Sequence, residues 1–200
     1  MKDLVNKPKT KRGQATLNRL VLAAEKTFFE KGYHGTSIYD ITSNAEVALG
    51  TFYIYFDDKM SLYRYLLMQY SYQIRKHIAI SIGEEKSRKE AERIGLKAFL
   101  MFIYENKHIY NIIWESLYID PKLFVDYYSS FGENYAKQIK KAQDENQVKK
   151  DLDPEVISFV LMGISNFVGL NWVMFKDENK FDKIVDQIIT ILDKGMFVNE

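Results

Sequence analysis

The 200-residue chain contains no cysteine. Disulfides, thiolate nucleophiles and thiolate metal sites are therefore excluded, which fits a reducing cytoplasm. Proline is scarce: Pro8, Pro121 and Pro154 are the only three, so long helices can run unbroken through most of the chain. Histidine is equally sparse. His34, His77 and His108 stand far apart with no i, i+4 pairing, so neither a histidine metal site nor histidine catalysis is expected. A dominant charge is missing too. The formal net charge is +1, so no global basic field favours nucleic acid, and any DNA binding must come from a local site. There is no serine nucleophile elbow, phosphate-cradling loop or paired-carboxylate arrangement. Adjacent acids such as Asp57-Asp58 and Glu84-Glu85 read as caps or solvated turns. The chain is expected to be no enzyme and to carry no cofactor and no metal.

What is present is ordinary in amount: 46% hydrophobic, 28% charged and 14% aromatic residues, enough to bury a real core. The longest apolar stretch, Val156 to Phe175, approaches membrane-span length. It carries Ser158, Ser165, Asn166 and Asn171 and two glycines, and it follows Asp151, Asp153 and Glu155. A buried interface helix is the better reading, with no membrane partner. The N-terminal lysines precede no apolar run, so no signal peptide is read there, and a cytoplasmic location is expected.

Residues 1–12 hold five basic residues against one acid and read as a flexible basic arm. From Gly13, helical spacing begins with Leu17, Leu20, Val21, Ala24 and Phe28, and Gly32 stops it. A short helix follows over about Ser37 to Asn44, with Thr36 or Ser37 as cap and Asp40 in its first turn. Another spans about Leu49 to Tyr55. Asp57 or Asp58 then caps a long helix from Lys59 to about Ile82. The capping box Ser87-Arg-Lys-Glu90 opens a helix to about Tyr104. Further helices are predicted over 108–117, 121–146, 154–175 and 180–197, the third opened by Asp153-Pro154.

The segment from Gly32 to Leu62 holds two short helices joined by Ala45-Glu46-Val47-Ala48, the spacing of a helix-turn-helix. In such a unit the second helix enters the major groove while the first braces it across the backbone. Ile38, Ile41, Val47 and Phe52 read as its internal hydrophobes. Leu49, Gly50, Thr51, Tyr53 and Tyr55 read as its exposed face.

These residues resemble the TetR family of transcriptional regulators. The resemblance rests on Phe29-Glu-Lys-Gly32-Tyr33, Thr36, Ile41, Val47, Gly50-Thr51-Phe52-Tyr53, Tyr55-Phe56, Lys59 and Leu62, all in one register over about residues 16–66. It implies an all-α homodimer: a three-helix helix-turn-helix domain over 13–58, then an effector-binding and dimerisation bundle over 59–200. It implies that Thr51 and Tyr53 contact DNA and that Tyr55, Lys59 and Thr36 or Ser37 contact phosphates. It also implies that Gly50 lets the backbone approach the sugar-phosphate chain. Three positions depart from the pattern. Glu46 replaces a turn glycine, a strain of about 1 kcal/mol at any positive φ. Ala48 replaces a capping serine, a loss of about 1 kcal/mol. Leu49 stands where polar or basic residues are common. Residues 13–60 carry four basic side chains (Arg19, Lys26, Lys31, Lys59) against six acidic ones, so the arm is expected to supply much of the attraction to DNA.

Beyond about residue 84 the resemblance fades. Abundant aromatics suit a pocket with apolar walls and a few polar tips. Candidate lining residues are Phe99, Ile103, Tyr110, Trp114, Tyr128 and Trp172, with Glu115 or Asn166 as polar anchor and an apolar or aromatic small molecule as effector. The helices over 154–175 and 180–197 are too apolar for one side of a monomer. Phe159, Gly163, Phe167, Ile184 and Ile188 are the candidate dimer interface, which sets two recognition helices on a palindromic double-stranded operator. The resulting expectation is a repressor released by its effector. A ligand-dependent activator, a co-repressor-type regulator, and a ligand- or partner-binding helical protein with a decayed helix-turn-helix stay open as alternatives.

Overall fold

A computed structural model describes residues 4–84 and 87–194. The described residues are all-α with no strand: α1 Lys11–Gly35, α2 Ile38–Asn44, α3 Leu49–Tyr55, α4 Lys59–Ile82, α5 Arg88–Glu105, α6 Lys107–Ile119, α7 Pro121–Asp144, α8 Pro154–Val168 and α9 Asp182–Lys194. Glu85 and the end of the predicted 180–197 helix lie outside the described residues.

Two compact units emerge. The first runs to Ser71 and includes His108–Tyr127; the second comprises Tyr72–Lys107 and the chain from Tyr128. The first half of α4 and all of α6 but Lys107 group with the helix-turn-helix. The core of the first unit explains the grouping. Leu20, Phe28, Ile41, Phe52, Phe56, Leu62, Tyr63, Leu66 and Tyr70 are fully buried, and the Tyr63 hydroxyl donates to the Ile112 carbonyl of α6 at 2.6 Å.

Local chemistry sets the helix ends. Thr10 caps α1 by accepting from the Gly13 amide at 3.0 Å. Gly32, at φ +68, breaks α1 in the left-handed region where a side chain is costly. Ser37 and Asp40 form a reciprocal capping box on α2. Asp58 caps α4, accepting from the Ser61 amide at 2.6 Å. Gly83 closes α4 at φ +68. Asp153 accepts from the Glu155 and Val156 amides, and Pro154 sits in the first turn of α8.

The segment expected as one α-helix over 154–175 changes character at its end. Gly169–Phe175 is π-helical, closed by the Lys176 amide on the Asn171 carbonyl at 3.1 Å. Such wide turns are rare and occur often at functional sites. In the second unit α9 packs on α5, Val185 and Ile189 of α9 are buried, and the Phe181 ring just before it meets Tyr104 of α5 edge-on. Three ion pairs line its margin: Lys97–Asp182 at 2.5 Å, Arg93–Asp186 at 2.9 Å and Lys89–Asp193 at 2.7 Å.

Candidate nucleic-acid interface

α3 is divided cleanly into two faces. Phe52, Tyr55 and Phe56 repeat at i, i+3, i+4 and point inward, Phe52 and Phe56 with no exposed surface. Leu49, Tyr53 and Ile54 are 49%, 53% and 61% exposed, and Gly50 shares their face. Thr51 lies at the margin, half-buried. Nothing lies within 4 Å of where a Gly50 Cβ would stand, so the chain's own packing gives no reason for a glycine there.

The connecting turn carries both strained features that its sequence announces. Glu46 sits at φ +52, in the left-handed region that disfavours a side chain. Ala48 occupies the N-cap of α3 with no side-chain hydrogen bond. The turn closes instead through backbone bonds, Ala45 amide to Ile41 carbonyl at 2.9 Å and Val47 amide to Thr42 carbonyl at 3.0 Å.

Three side chains expected at phosphates spend their polar atoms inside the protein. Tyr55 is buried, and its hydroxyl donates to the Gly13 carbonyl at 3.0 Å. Thr36 is buried, and its hydroxyl reaches the Gly32 carbonyl at 2.7 Å and the Thr27 carbonyl at 3.2 Å. Lys59 donates to the Tyr33 and Thr36 carbonyls at 2.6 and 2.5 Å, with its ammonium 4.3 Å from the Tyr33 ring centroid. Burial lowers its pKa, while Glu115 and Asp40 oppose the shift. Thr36 and Lys59 brace the α1–α2 junction, and Tyr55 ties α3 to the first turn of α1. Ser37 is exposed at the N-terminus of α2, as a phosphate contact requires, though its hydroxyl already caps the helix.

Glu115 has the same bracing role. Its carboxylate accepts from the Tyr33 amide at 2.7 Å and faces Gly32.

The surface charge near α3 is largely internally compensated. Lys31 pairs with Asp40 at 2.7 Å, and Lys26 with Glu30 at 4.0 Å. Hydrogen bonds from Lys31 and Ser37 hold the Asp40 carboxyl well below the usual carboxylate range. Lys59 is engaged as well, and Arg19 is exposed. The described cations of the arm, Lys7, Lys9, Lys11 and Arg12, are all exposed.

The arm is tied to the fold at two residues. Val5 is buried, and Asn6 bonds to the end of α3. Neither Asn6 nor the exposed Ile54 stood out in the sequence. Ile54 was recoverable from helical spacing, at i+4 from Gly50.

The six candidate effector residues do not gather in one unit. Tyr110 and Trp114 belong to the first, with ring centroids 6.1 Å apart, and burial pushes the Tyr110 hydroxyl up to about 12. Phe99, Ile103, Tyr128 and Trp172 belong to the second, where Ile103 is fully buried. The Tyr128 hydroxyl donates to Asn166 Oδ1 at 3.0 Å, and Asn166 Nδ2 donates to the Met162 carbonyl at 2.8 Å. The amide offered as a polar anchor is therefore already engaged through both of its polar atoms.

The candidate dimer residues remain uncovered. Phe159 and Phe167 are exposed, Ile184 and Ile188 half-buried, and nothing lies within 4 Å of a Cβ at Gly163. Val156 and Val160 of α8 and Ile191 and Leu192 of α9 are exposed as well. Pro154–Phe175 is long and apolar enough to cross a membrane by length and composition alone.

Comparison with known proteins agrees with this geometry. Residues 20–66 match the profile of the bacterial regulatory proteins, tetR family. A helix-turn-helix-type transcriptional regulator encoded in the lacX 3′ region of Lactococcus lactis is 30% identical over 135 residues, covering 60% of this chain and 67% of that protein. The helix-turn-helix-type transcriptional activator FasR of Mycolicibacterium smegmatis is 26% identical over 101 residues, half of this chain and 46% of that protein. Among solved structures, a TetR-family regulator from Syntrophomonas wolfei superposes with TM-score 0.81 at 23% identity, covering 95% of this chain and all of that one. The regulator FadR from Bacillus subtilis, solved with stearoyl-CoA, gives TM-score 0.72 at 18% identity, covering 90% of this chain and all of that one.

Proposed function

This chain belongs to the TetR family of transcriptional regulators, and from that premise we propose that it is a homodimeric repressor released from a palindromic operator by a small apolar effector. One observation carries the DNA-binding part. The two faces of α3 divide cleanly, with Leu49, Gly50, Tyr53 and Ile54 outward and a glycine that the fold does not need. A backbone that must come close to a sugar-phosphate chain explains that glycine. Tyr53 and Thr51 reach toward bases, and Ser37 with the arm lysines meets phosphates, which position without specifying.

The uncovered apolar faces of α8 and α9 support a twofold mate. Their isologous pairing sets two copies of α3 about one turn of DNA apart, roughly 34–36 Å. The effector binds within residues 59–200, and an acyl chain is the favoured chemistry, since FadR was solved with stearoyl-CoA. α4 is continuous from Lys59 to Ile82 and begins at the brace formed by Lys59, Tyr33 and Glu115. An effector that shifts α4 therefore shifts that brace, provided it binds the DNA-free state more tightly.

Footprinting against DNA upstream of the protein's own gene tests the proposal. Protection of two symmetric half-sites, relieved by stearoyl-CoA, is the expected outcome. Protection that strengthens with the ligand favours a ligand-dependent activator or co-repressor form, a reading supported by the activator role of FasR. Absence of any protected site contradicts DNA regulation and favours the decayed helix-turn-helix.

A further inference from the structure

We propose that the N-terminal arm is a clasp on the recognition helix, and that Asn6 is a positioning residue for operator binding. This rests on α3 being the element that reads DNA.

The seven-residue α3 ends without the usual devices. No glycine follows it, no basic residue lies in its last turn, and its final carbonyls need outside donors. The arm supplies them. The Asn6 main-chain amide donates to the Tyr55 carbonyl at 2.9 Å, and Asn6 Nδ2 donates to the Ile54 carbonyl at 3.1 Å. One residue thus satisfies two adjacent orphan carbonyls. Val5, beside it, is 5% exposed and anchors the arm by apolar burial.

The contact is closed from the other side. The Tyr55 hydroxyl donates to the Gly13 carbonyl at 3.0 Å, tying the end of α3 to the first turn of α1. Pro8 packs where a Gly13 side chain would stand: a Cβ there would lie 2.8 Å from Pro8 Cβ. Residues 5–13 therefore wrap the end of the recognition helix, with Lys7 and Lys9 exposed along the wrap.

A clasp and a charged tether have different consequences. A tether raises affinity for every DNA and deepens the salt dependence by about 0.9 in log-log slope for each phosphate contact. A clasp fixes where α3 sits, so it governs preference for the operator over other sequences.

The test measures the affinity of the full chain for its footprinted operator and for a scrambled duplex of equal length, at two salt concentrations. Asn6→Ala removes one of the two bonds. Its operator affinity should fall roughly twofold to tenfold, the range for one neutral hydrogen bond, with scrambled-duplex affinity and salt slope unchanged. Asn6→Asp places a carboxylate against the Ile54 carbonyl and should lose more. Gly13→Ala attacks the clasp through Pro8 and crowds the Thr10 cap, so it should lower the operator preference while leaving scrambled-duplex affinity unchanged. Lys7→Gln with Lys9→Gln should instead weaken both duplexes together and flatten the slope. Equal effects of the Asn6 and Gly13 variants on the two duplexes, or no effect on either, would overturn the clasp. Wild-type protein with no operator preference would overturn the regulator reading and the clasp with it.

Discussion

Alanine at Gly50 should move fold stability and DNA affinity in opposite directions. Glycine within a helix is about 0.5–1 kcal/mol less favourable than alanine, because the unfolded chain has more freedom to lose. Gly50 is not among the positive-φ residues, and a Cβ there meets no heavy atom within 4 Å. The substitution therefore gains propensity without strain or clash, with its place in the first turn of α3 favouring the low end. For a chain of this size about 1 kcal/mol corresponds to roughly 2–4 °C in Tm, so a rise of about 1–4 °C is expected. The same methyl group projects from the face assigned to the sugar-phosphate chain. A tenfold or larger loss of operator affinity, at least about 1.4 kcal/mol, should accompany the higher Tm. Thermal unfolding and fluorescence anisotropy on one preparation read both quantities. A raised Tm with unchanged operator affinity would refute the close approach at Gly50. A lowered Tm would mean that the fold itself requires the glycine.

Three other outcomes follow from the same structure. Glu46→Gly relieves the φ +52 strain and Ala48→Ser restores an N-cap, each by about 1 kcal/mol, so thermal unfolding of either variant should give a higher Tm; their separation of two residues means the gains need not add. His108 has its pKa lowered below 6.5 by burial, so below that value the unfolded chain takes up a proton that the folded one resists. Stability should fall as pH drops from about 6.5 through the lower folded value, and His108→Gln should flatten that limb in pH-resolved urea unfolding while leaving the slope above pH 8 unchanged. Phe167→Glu places a charge on the exposed apolar face of α8, and sedimentation should then show a monomer with an unchanged helical spectrum; a persistent dimer would place the interface elsewhere.

Much of the fold was legible because its signals are local. The bounds of α3 and α4 follow from Asp58, Gly83 and the spacing of Phe52, and both irregularities at Glu46 and Ala48 follow from their departure from the family pattern. The internal hydrogen bonds of Thr36, Tyr55 and Lys59 lay beyond the sequence for one reason. Each is a polar residue near the surface whose partners, the Gly32, Gly13 and Tyr33 carbonyls, are set by tertiary approach. Tyr55 could have been placed inside by its spacing from Phe52, although the reading of the helix set it on the exposed face. Glu115 lies 82 residues from Tyr33, beyond any periodicity. The docking of Asn6 was hidden because composition registers the arm's charge and not the carbonyls it meets. The π-helical turn after Val168 has no sequence signal that we can name.

The central claim is that the outward face of α3 reads a specific DNA site. Its most direct test is the affinity of wild type, Thr51→Ala and Tyr53→Ala for the mapped operator and for a scrambled duplex. Each substitution should weaken the operator complex tenfold or more, while Tm and scrambled-duplex affinity stay unchanged, since Tyr53 is 53% exposed and Thr51 lies at the helix margin. Operator affinity unaffected by both substitutions, or lost equally on both duplexes, would contradict it.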